Sequence, residues 1–286
     1  ALLGAMAEGE TLARNYSSAA DCASTLACLR ALGAEVLREG TEVRVRGGLE
    51  TWRAPSRPLD CENSGSTIRM LAGALAGRAF RTVLTGDESL RRRPVERVAA
   101  PLRAMGARVE TTDGRPPLAI EGGRLRPVAY DLPVASAQIK TAVLLAGLQA
   151  EGRTSVREPA ASRDHTERML PAFGVPVERD GLSATVNGPA RLRGATVDVP
   201  GDASSAAFLV VAALVLPDSE VRLDGVLLSP TRTAFVEVLR AMGGRVEARL
   251  EASDPEPVGS IVASSSRLHG TTVDPALVPS LIDEVP

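Results

Sequence analysis

Hydrophobic and polar positions along this chain repeat one phrase. Leu-x-x-(Leu/Met/Phe)-Gly occurs at 29–33, 102–106, 170–174 and 239–243, in steps of 73, 68 and 69 residues. Each copy closes an amphipathic helix, and its glycine suits a helix end that needs positive φ. Alternation follows, as in Ala34-Glu35-Val36-Leu37, Thr41-Glu42-Val43-Arg44-Val45 and Ala107-Arg108-Val109-Glu110, and predicts strands of period two. Upstream of each phrase lies a second helix, rich in Ala, Leu and Val, over 1–7, 68–76, 139–148 and 206–215. Helices so free of charge need cover on nearly every side. Short strands such as 81–84 and 220–223 stand between the two helices.

Each unit therefore reads helix, strand, helix, strand, strand over about 70 residues. That is too long for the common helical solenoids and too helical for a propeller blade. The expectation is an α+β repeat protein with apolar helices inward and sheets outward. A boundary is expected near Asp198-Val199-Pro200-Gly201. Residues 1–199 would then form a complete three-repeat domain, and 200–286 a partial second domain with one repeat and the start of the next.

Composition works mainly by exclusion. With 286 residues, 44% hydrophobic and 24% charged, the chain suits one large or two medium domains. Trp52, Tyr16, Tyr130 and four phenylalanines leave little to stack on bases, and a net charge of -2 gives no broad pull on a polyanion. No nucleic-acid partner is expected. Cys22, Cys28 and Cys61 match no zinc spacing and are odd in number, so they are expected to be reduced and mostly buried. His165 has no His or Cys at ligand spacing, and no metal is expected. No leader opens the chain and no apolar run reaches the length of a bilayer span, so no membrane is expected. The opening Ala1-Leu2-Leu3 lacks a methionine, which leaves room for residues before it. Lys140 is the only lysine. Arginine offers planar donors for phosphate and carboxylate, although genomic base composition accounts for that bias at least as well.

Six stretches carry more polar chemistry than a connection needs. Glu62-Asn63-Ser64-Gly65-Ser66-Thr67-Ile68-Arg69 runs into an apolar helix, where exposed backbone N–H groups suit a carboxylate or phosphate. An ordinary N-cap has the same composition. Gly86-Asp87-Glu88-Ser89-Leu90-Arg91-Arg92-Arg93-Pro94 sets three arginines before a helix, the last held against a proline; a solvated face is the alternative. Val134-Ala135-Ser136-Ala137-Gln138-Ile139-Lys140 is another polar lead-in, and Ala161-Ser162-Arg163-Asp164-His165-Thr166-Glu167-Arg168 a dense run of hydrogen-bonding groups. Gly201-Asp202-Ala203-Ser204-Ser205 opens the fourth unit, where capping is a sufficient role. Leu281-Ile282-Asp283-Glu284-Val285-Pro286 places an acidic pair after a strand-like Thr271-Thr272-Val273, a position for a general base. A repeat architecture would gather these helix starts at one end of a domain. Two such domains facing each other would make a cleft for small anions.

These stretches also carry a resemblance. Asn63-Ser64-Gly65-Ser66-Thr67-Ile68-Arg69, Gly86-Asp87-Glu88-Ser89-Leu90, Arg93-Pro94, Ser136-Ala137-Gln138, Ser162-Arg163-Asp164-His165-Thr166-Glu167 and Gly201-Asp202-Ala203-Ser204-Ser205 resemble, in order and spacing, the 3-phosphoshikimate 1-carboxyvinyltransferases, or EPSP synthases. The resemblance covers essentially the whole chain. It implies an α+β, two-domain enolpyruvyl transferase fold, inverse α/β barrel-like, with helices inside, sheets outside and three repeats per domain, the second domain here incomplete. It implies transfer of the enolpyruvyl group of phosphoenolpyruvate to the 5-hydroxyl of shikimate 3-phosphate, with release of phosphate, in the route to chorismate and the aromatic amino acids. A cytoplasmic monomer without metal or organic cofactor follows from the same resemblance.

Residue by residue, the resemblance sets Gly65, Arg93 and Gln138 against phosphoenolpyruvate. Arg93 would counter its charge, and any side chain larger than Gly65 would crowd it; a glycine there goes with sensitivity to glyphosate. Ser136, Gln138, Ser162 and the backbone at Ala137 would hold shikimate 3-phosphate, with Arg163 nearby. Asp283 would accept hydrogen bonds from its hydroxyls and is the candidate for proton transfer. Family members carry a Lys-Ser and an arginine before the position of Ala1, and a glutamate, arginines and a lysine beyond that of Pro286. The function expected is thus that of a parent protein, and the 286 residues alone are expected to be inactive. Two rival expectations stand beside this one. The UDP-N-acetylglucosamine enolpyruvyl transferases carry a mobile-loop cysteine that has no counterpart between Arg81 and Ala100. A noncatalytic repeat scaffold would use its polar helix starts only as caps.

Overall fold

A computed structural model describes residues 1–281, 283 and 284; Ile282, Val285 and Pro286 of the last polar stretch lie outside the described residues. The chain forms two compact units, Ala1–Ala160 with Leu170–Val199, and Ala161–Met169 with Pro200–Pro286.

The first unit is built from successive copies of one motif. α1 (Leu2–Met6), β1 (Gly9–Arg14), α2 (Ala20–Leu32), β2 (Glu35–Glu39) and β3 (Glu42–Gly47) make the first copy, and β4 (Leu59–Asp60) follows it. The second has α3 (Gly65–Leu75), β5 (Arg81–Thr85), α4 (Glu88–Arg92), α5 (Glu96–Ala104), β6 (Arg108–Thr112) and β7 (Arg115–Glu121), then β8 (Ala129–Asp131). The third has α6 (Ala137–Gly147), β9 (Gly152–Arg157), α7 (His165–Ala172), β10 (Glu178–Asp180) and β11 (Ser183–Gly188), then β12 (Thr196–Asp198). Their sheets run β12-β1-β3-β2, β4-β5-β7-β6 and β8-β9-β11-β10. In each, a short strand lies parallel to the strand that follows the apolar helix, and the other pairs are antiparallel. These short strands show no period of their own, so the expected helix-strand-helix-strand-strand unit omits them. β12 pairs with β1 through Leu12↔Thr196 and Arg14↔Asp198.

Small residues bring backbone against backbone in the core of this unit. A Cβ on Gly73 would stand 2.1 Å from the carbonyl oxygen of Ala142, so α3 and α6 touch along their main chains. A Cβ on Gly47, Gly122 or Gly188 would stand 2.3, 2.4 or 2.3 Å from the carbonyl oxygens of Ala5, Ala76 and Ala150, a close backbone approach in each copy. Every residue of α6 from Ile139 to Gly147 is buried. Alternate residues of the sheets close over the helices, with Val43 and Val45 on β3 and Leu118 and Ile120 on β7 buried. The phrase glycines Gly33, Gly106, Gly174 and Gly243 have φ of 107, 105, 82 and 88°, the left-handed turn that ends each amphipathic helix. Beside three of them an arginine donates from Nε to a carbonyl on the next strand: Arg30 to Val36, Arg103 to Val109 and Arg240 to Val246. The third copy has Pro171 at that place.

In the second unit, α8 (Ala203–Val215), β13 (Glu220–Leu227), α9 (Ala234–Ala241), β14 (Arg245–Ala252) and β15 (Val258–Ser264) repeat the motif, with sheet order β13-β15-β14. Ala203, Ala206, Val210 and Leu214 pack with Phe235, Leu239, Val246, Ile261 and Ala263. The remaining face of α8 leaves Phe208 77% exposed, with Leu209, Val211, Val215 and Leu216 also open. Thr271, Thr272 and Val273, expected to be strand-like, form no strand. Three residues hold too little alternation to specify pairing, and Pro275 opens a 3-10 turn, Pro275–Ser280, directly after them. Among the described residues no helix is long and apolar enough to cross a membrane.

The close approach at Gly122 generates a paired prediction. Gly122→Ala would drive a methyl onto the carbonyls of Leu75, Ala76 and Arg78, whereas a Cβ on Gly123 meets nothing within 4 Å. Urea unfolding should show a loss of about 1–3 kcal/mol for Gly122→Ala and a change within about 0.5 kcal/mol for Gly123→Ala. Equal midpoints for the two variants would refute this account of the core.

Candidate functional site

Each apolar helix with a polar lead-in begins at a side-chain cap. Ser64 Oγ accepts from the Thr67 N–H at 3.1 Å, Ser136 Oγ from Ile139 at 3.4 Å, and an Asp202 carboxylate oxygen from Ser205 at 2.8 Å. The caps occupy one oxygen each and leave the next residues of the helix start to other partners.

Around the α3 start of the first unit, groups from three segments converge. Arg69 donates from Nη1 to the Gly65 carbonyl at 2.9 Å and to Gln138 Oε1 at 3.1 Å, and from Nη2 to the Pro94 carbonyl at 3.0 Å. Gln138 donates from Nε2 to Ser66 Oγ at 2.9 Å, which ties the starts of α3 and α6 together. Arg93 donates from Nη2 to Asn63 Oδ1 at 2.5 Å and lies 3.4 Å from Ser89 Oγ. Asn63 donates in turn to Asp87 Oδ2 at 2.7 Å, while Asp87 Oδ1 caps α4 through the Leu90 N–H at 2.7 Å. The Asn63 amide and then the Leu90 N–H hold the Asp87 carboxyl below its ordinary range.

Charge at this place is unbalanced. Burial lowers the pKa of Arg69, and repulsion from Arg93 and Arg97 lowers it further. Among the described residues none of these three arginines forms an ion pair with a carboxylate. Gly65 is buried beneath them, and a Cβ there would stand 2.5 Å from Arg69 Nη1 and 3.4 Å from Arg93 Nη1. Guanidinium donors gathered without a directly paired carboxylate, over a helix N-terminus kept open by glycine, can bind a carboxylate or phosphate.

The second unit holds a different polar group. Arg163 Nη2 and Arg232 Nη1 donate to Asp283 Oδ2 at 3.0 and 3.1 Å. Arg232 also reaches Asp202 Oδ1 at 3.4 Å and hydrogen-bonds Ser204, whose hydroxyl bonds Glu284. Burial raises the Asp202 carboxyl, but the Ser205 hydroxyl and N–H together with Arg232 outweigh it and leave its pKa lowered. His165 Nδ1 lies 2.8 Å from Glu256 Oε1. Among the described residues no group of three His, Cys, Asp or Glu side chains could hold a metal ion. A cavity of about 350 Å³ in this unit, lined by Arg168, Leu228, Thr233, Glu237, Arg240 and Pro257, contains none of the expected site residues.

The expected residues thus fall into two sets. Gly65, Arg93 and Gln138 share one cluster in the first unit through Arg69, and Ser136 and Ala137 open the helix that carries Gln138. Ser162, Arg163 and Asp283 belong to the second unit, where Arg163 and Asp283 are joined directly. Asn63, Ser66 and Arg69 stand inside a phrase singled out from sequence, yet no role is assigned to them there. Arg69 lies four residues from Gly65 on one helical face, a spacing that signals contact. Arg232 has no such local signal.

A family model described as EPSP synthase (3-phosphoshikimate 1-carboxyvinyltransferase) matches residues 1–286. The 3-phosphoshikimate 1-carboxyvinyltransferase of Brevibacillus brevis is 48% identical over 289 residues, covering 100% of this chain and 68% of that protein. That of Acidithiobacillus ferrooxidans is 49% identical over 290 residues and is covered to 66%. The structure of EPSP synthase from Acinetobacter baumannii superposes with a TM-score of 0.92 at 42% identity, over 99% of this chain and 66% of that one. The chain therefore spans about two thirds of the length of these relatives.

The lowered Asp87 pKa carries a pH prediction. A carboxyl whose pKa falls on folding adds stability above its unfolded pKa and loses it as pH drops through the folded value. Between about pH 5 and about pH 2, the urea midpoint of the unmodified protein should fall more steeply than that of Asp87→Asn. Parallel curves would show that the Asn63–Asp87 contact adds nothing.

Proposed function

The chain belongs to the EPSP synthase family, and on that premise we propose that its parent protein transfers the enolpyruvyl group of phosphoenolpyruvate to the 5-hydroxyl of shikimate 3-phosphate. The observation that carries the proposal is the pair Arg69 and Arg93 gathered over Gly65, with no ion-pair partner for either among the described residues. Two anionic substrates repel each other, and a site that joins them must hold positive charge in reserve before either arrives.

In this reading the phosphoenolpyruvate anion is countered by Arg93, with Gln138 and the open space at Gly65 beside it. The Ser136 hydroxyl, the Ala137 N–H, Ser162 and Arg163 hold the phosphorylated shikimate. Asp283, its carboxylate oriented by Arg163 and Arg232, takes the proton of the 5-hydroxyl as its oxygen adds to the enol carbon. Protonation of the methylene gives a tetrahedral adduct, and loss of phosphate with a methyl proton restores the double bond. The proposal includes an inverse barrel-like arrangement with helices inside, a three-repeat domain, 1–199, and a second domain that begins at 200. Further repeats of the parent protein would cover the apolar face of α8. The resemblance also supports a cytoplasmic monomer that needs no cofactor.

Calorimetry on the full-length protein tests the substrate. Shikimate 3-phosphate should bind and UDP-N-acetylglucosamine should not; the reverse result, or no binding of either, overturns the proposal. Arg93→Ala in the same protein should lower kcat/KM for phosphoenolpyruvate by about 100-fold. Unchanged kinetics would remove Arg93 from the site.

A further inference from the structure

The α6 start differs from its sister helix starts in how its cap residue is held. Lys140, Ile68 and Ala206 are equivalent: each donates its backbone N–H to the carbonyl of its cap residue, Ser136, Ser64 and Asp202, at 3.0, 3.3 and 3.0 Å. Ile68 and Ala206 are buried apolar residues, so the motif folds without charge at this position. In the third copy the position is a lysine, 3% exposed, whose Nζ lies 2.6 Å from Oε2 of Glu158, itself 4% exposed. The other carboxylate oxygen, Oε1, accepts from the Ser136 backbone N–H at 3.1 Å. In the second copy the Ser64 N–H finds a main-chain acceptor instead, the Cys61 carbonyl at 2.8 Å. Glu158 is anchored by its own N–H, which donates to the Leu182 carbonyl at 3.0 Å.

We infer that Glu158, held by Lys140, is a positioning residue for Ser136, so that the fit of the phosphorylated substrate depends on a carboxylate that does not touch it. This rests on the reading above that Ser136 and Ala137 hold the phosphate of shikimate 3-phosphate. A buried ion pair is weak as a source of stability, and apolar residues of similar size often replace one at no loss. Its use here is geometric. Ser136 is fixed by its N–H to Glu158, by its carbonyl to the Lys140 N–H and by its hydroxyl to the Ile139 N–H. With Oε1 gone, one of these three tethers is lost, and the hydroxyl and the following N–H would lose their common aim.

Two double variants of the full-length protein separate this role from a structural one. K140M/E158L and K140M/E158Q both remove the ion pair, but only glutamine keeps an acceptor for the Ser136 N–H. Thermal unfolding establishes that both fold, with K140M/E158M, which also lacks an acceptor, in place of K140M/E158L should that double fail. Calorimetry should show K140M/E158L binding shikimate 3-phosphate about tenfold more weakly, one hydrogen bond's worth of aim, and K140M/E158Q within about threefold of the unmodified protein. Without ligand, amide exchange at Ser136 should quicken in K140M/E158L alone. Equal affinities, or equal exchange, in the two doubles overturns the inference. If the unmodified protein binds no shikimate 3-phosphate, the substrate reading fails, while the exchange result still decides whether Glu158 holds Ser136.

Discussion

A helix buried on nearly every side still has a polar end, and that constraint organises this molecule. The first N–H groups of α3 and α6 cannot be satisfied by their own helices. Their flanks are packed among alanine and leucine, with main chain touching main chain at Gly73 and Ala142. Polar side chains are therefore admitted only at the starts, where Ser64 and Ser136 complete the caps. The demand for caps and the opportunity to bind anions arise from the same exposed donors.

The electrostatics of the α3 start follow from which partners it has. Several arginines of this protein meet carboxylates, as Arg46 meets Glu10 and Arg157 meets Asp131. At the α3 start the partners are amides and carbonyls: Asn63 for Arg93, and Gln138, Gly65 and Pro94 for Arg69. A neutral partner fixes a guanidinium in place without cancelling its charge. Asp87, the nearest acid in this chain of contacts, is spent on Asn63 and the α4 cap.

Long periodic elements are legible in the sequence because burial acts on every turn of them. The four phrase glycines and the helices beginning near Gly65, Ala137 and Ala203 can be read from apolar spacing and lead-in residues alone. Strands β4, β8 and β12 cannot, for two or three residues show no period and their pairing is decided by distant partners. The candidate site divides the same way. Gly65, Arg93 and Gln138 stand in local phrases with recognisable composition, whereas Glu158 matters through a carboxylate that meets Ser136 across 22 residues. Arg232, 51 residues from Asp283, is likewise visible only once the chain has folded.

Pairing of β12 with β1 has a consequence for how this architecture is carried. The strand that ends the first unit lies beside the strand near its beginning, with Arg14 opposite Asp198. Residues 12–14 and 196–198 are neighbours, so the unit is a ring in topology although it is a line in sequence. A sheet closed this way can be opened at a different loop and rejoined across that seam.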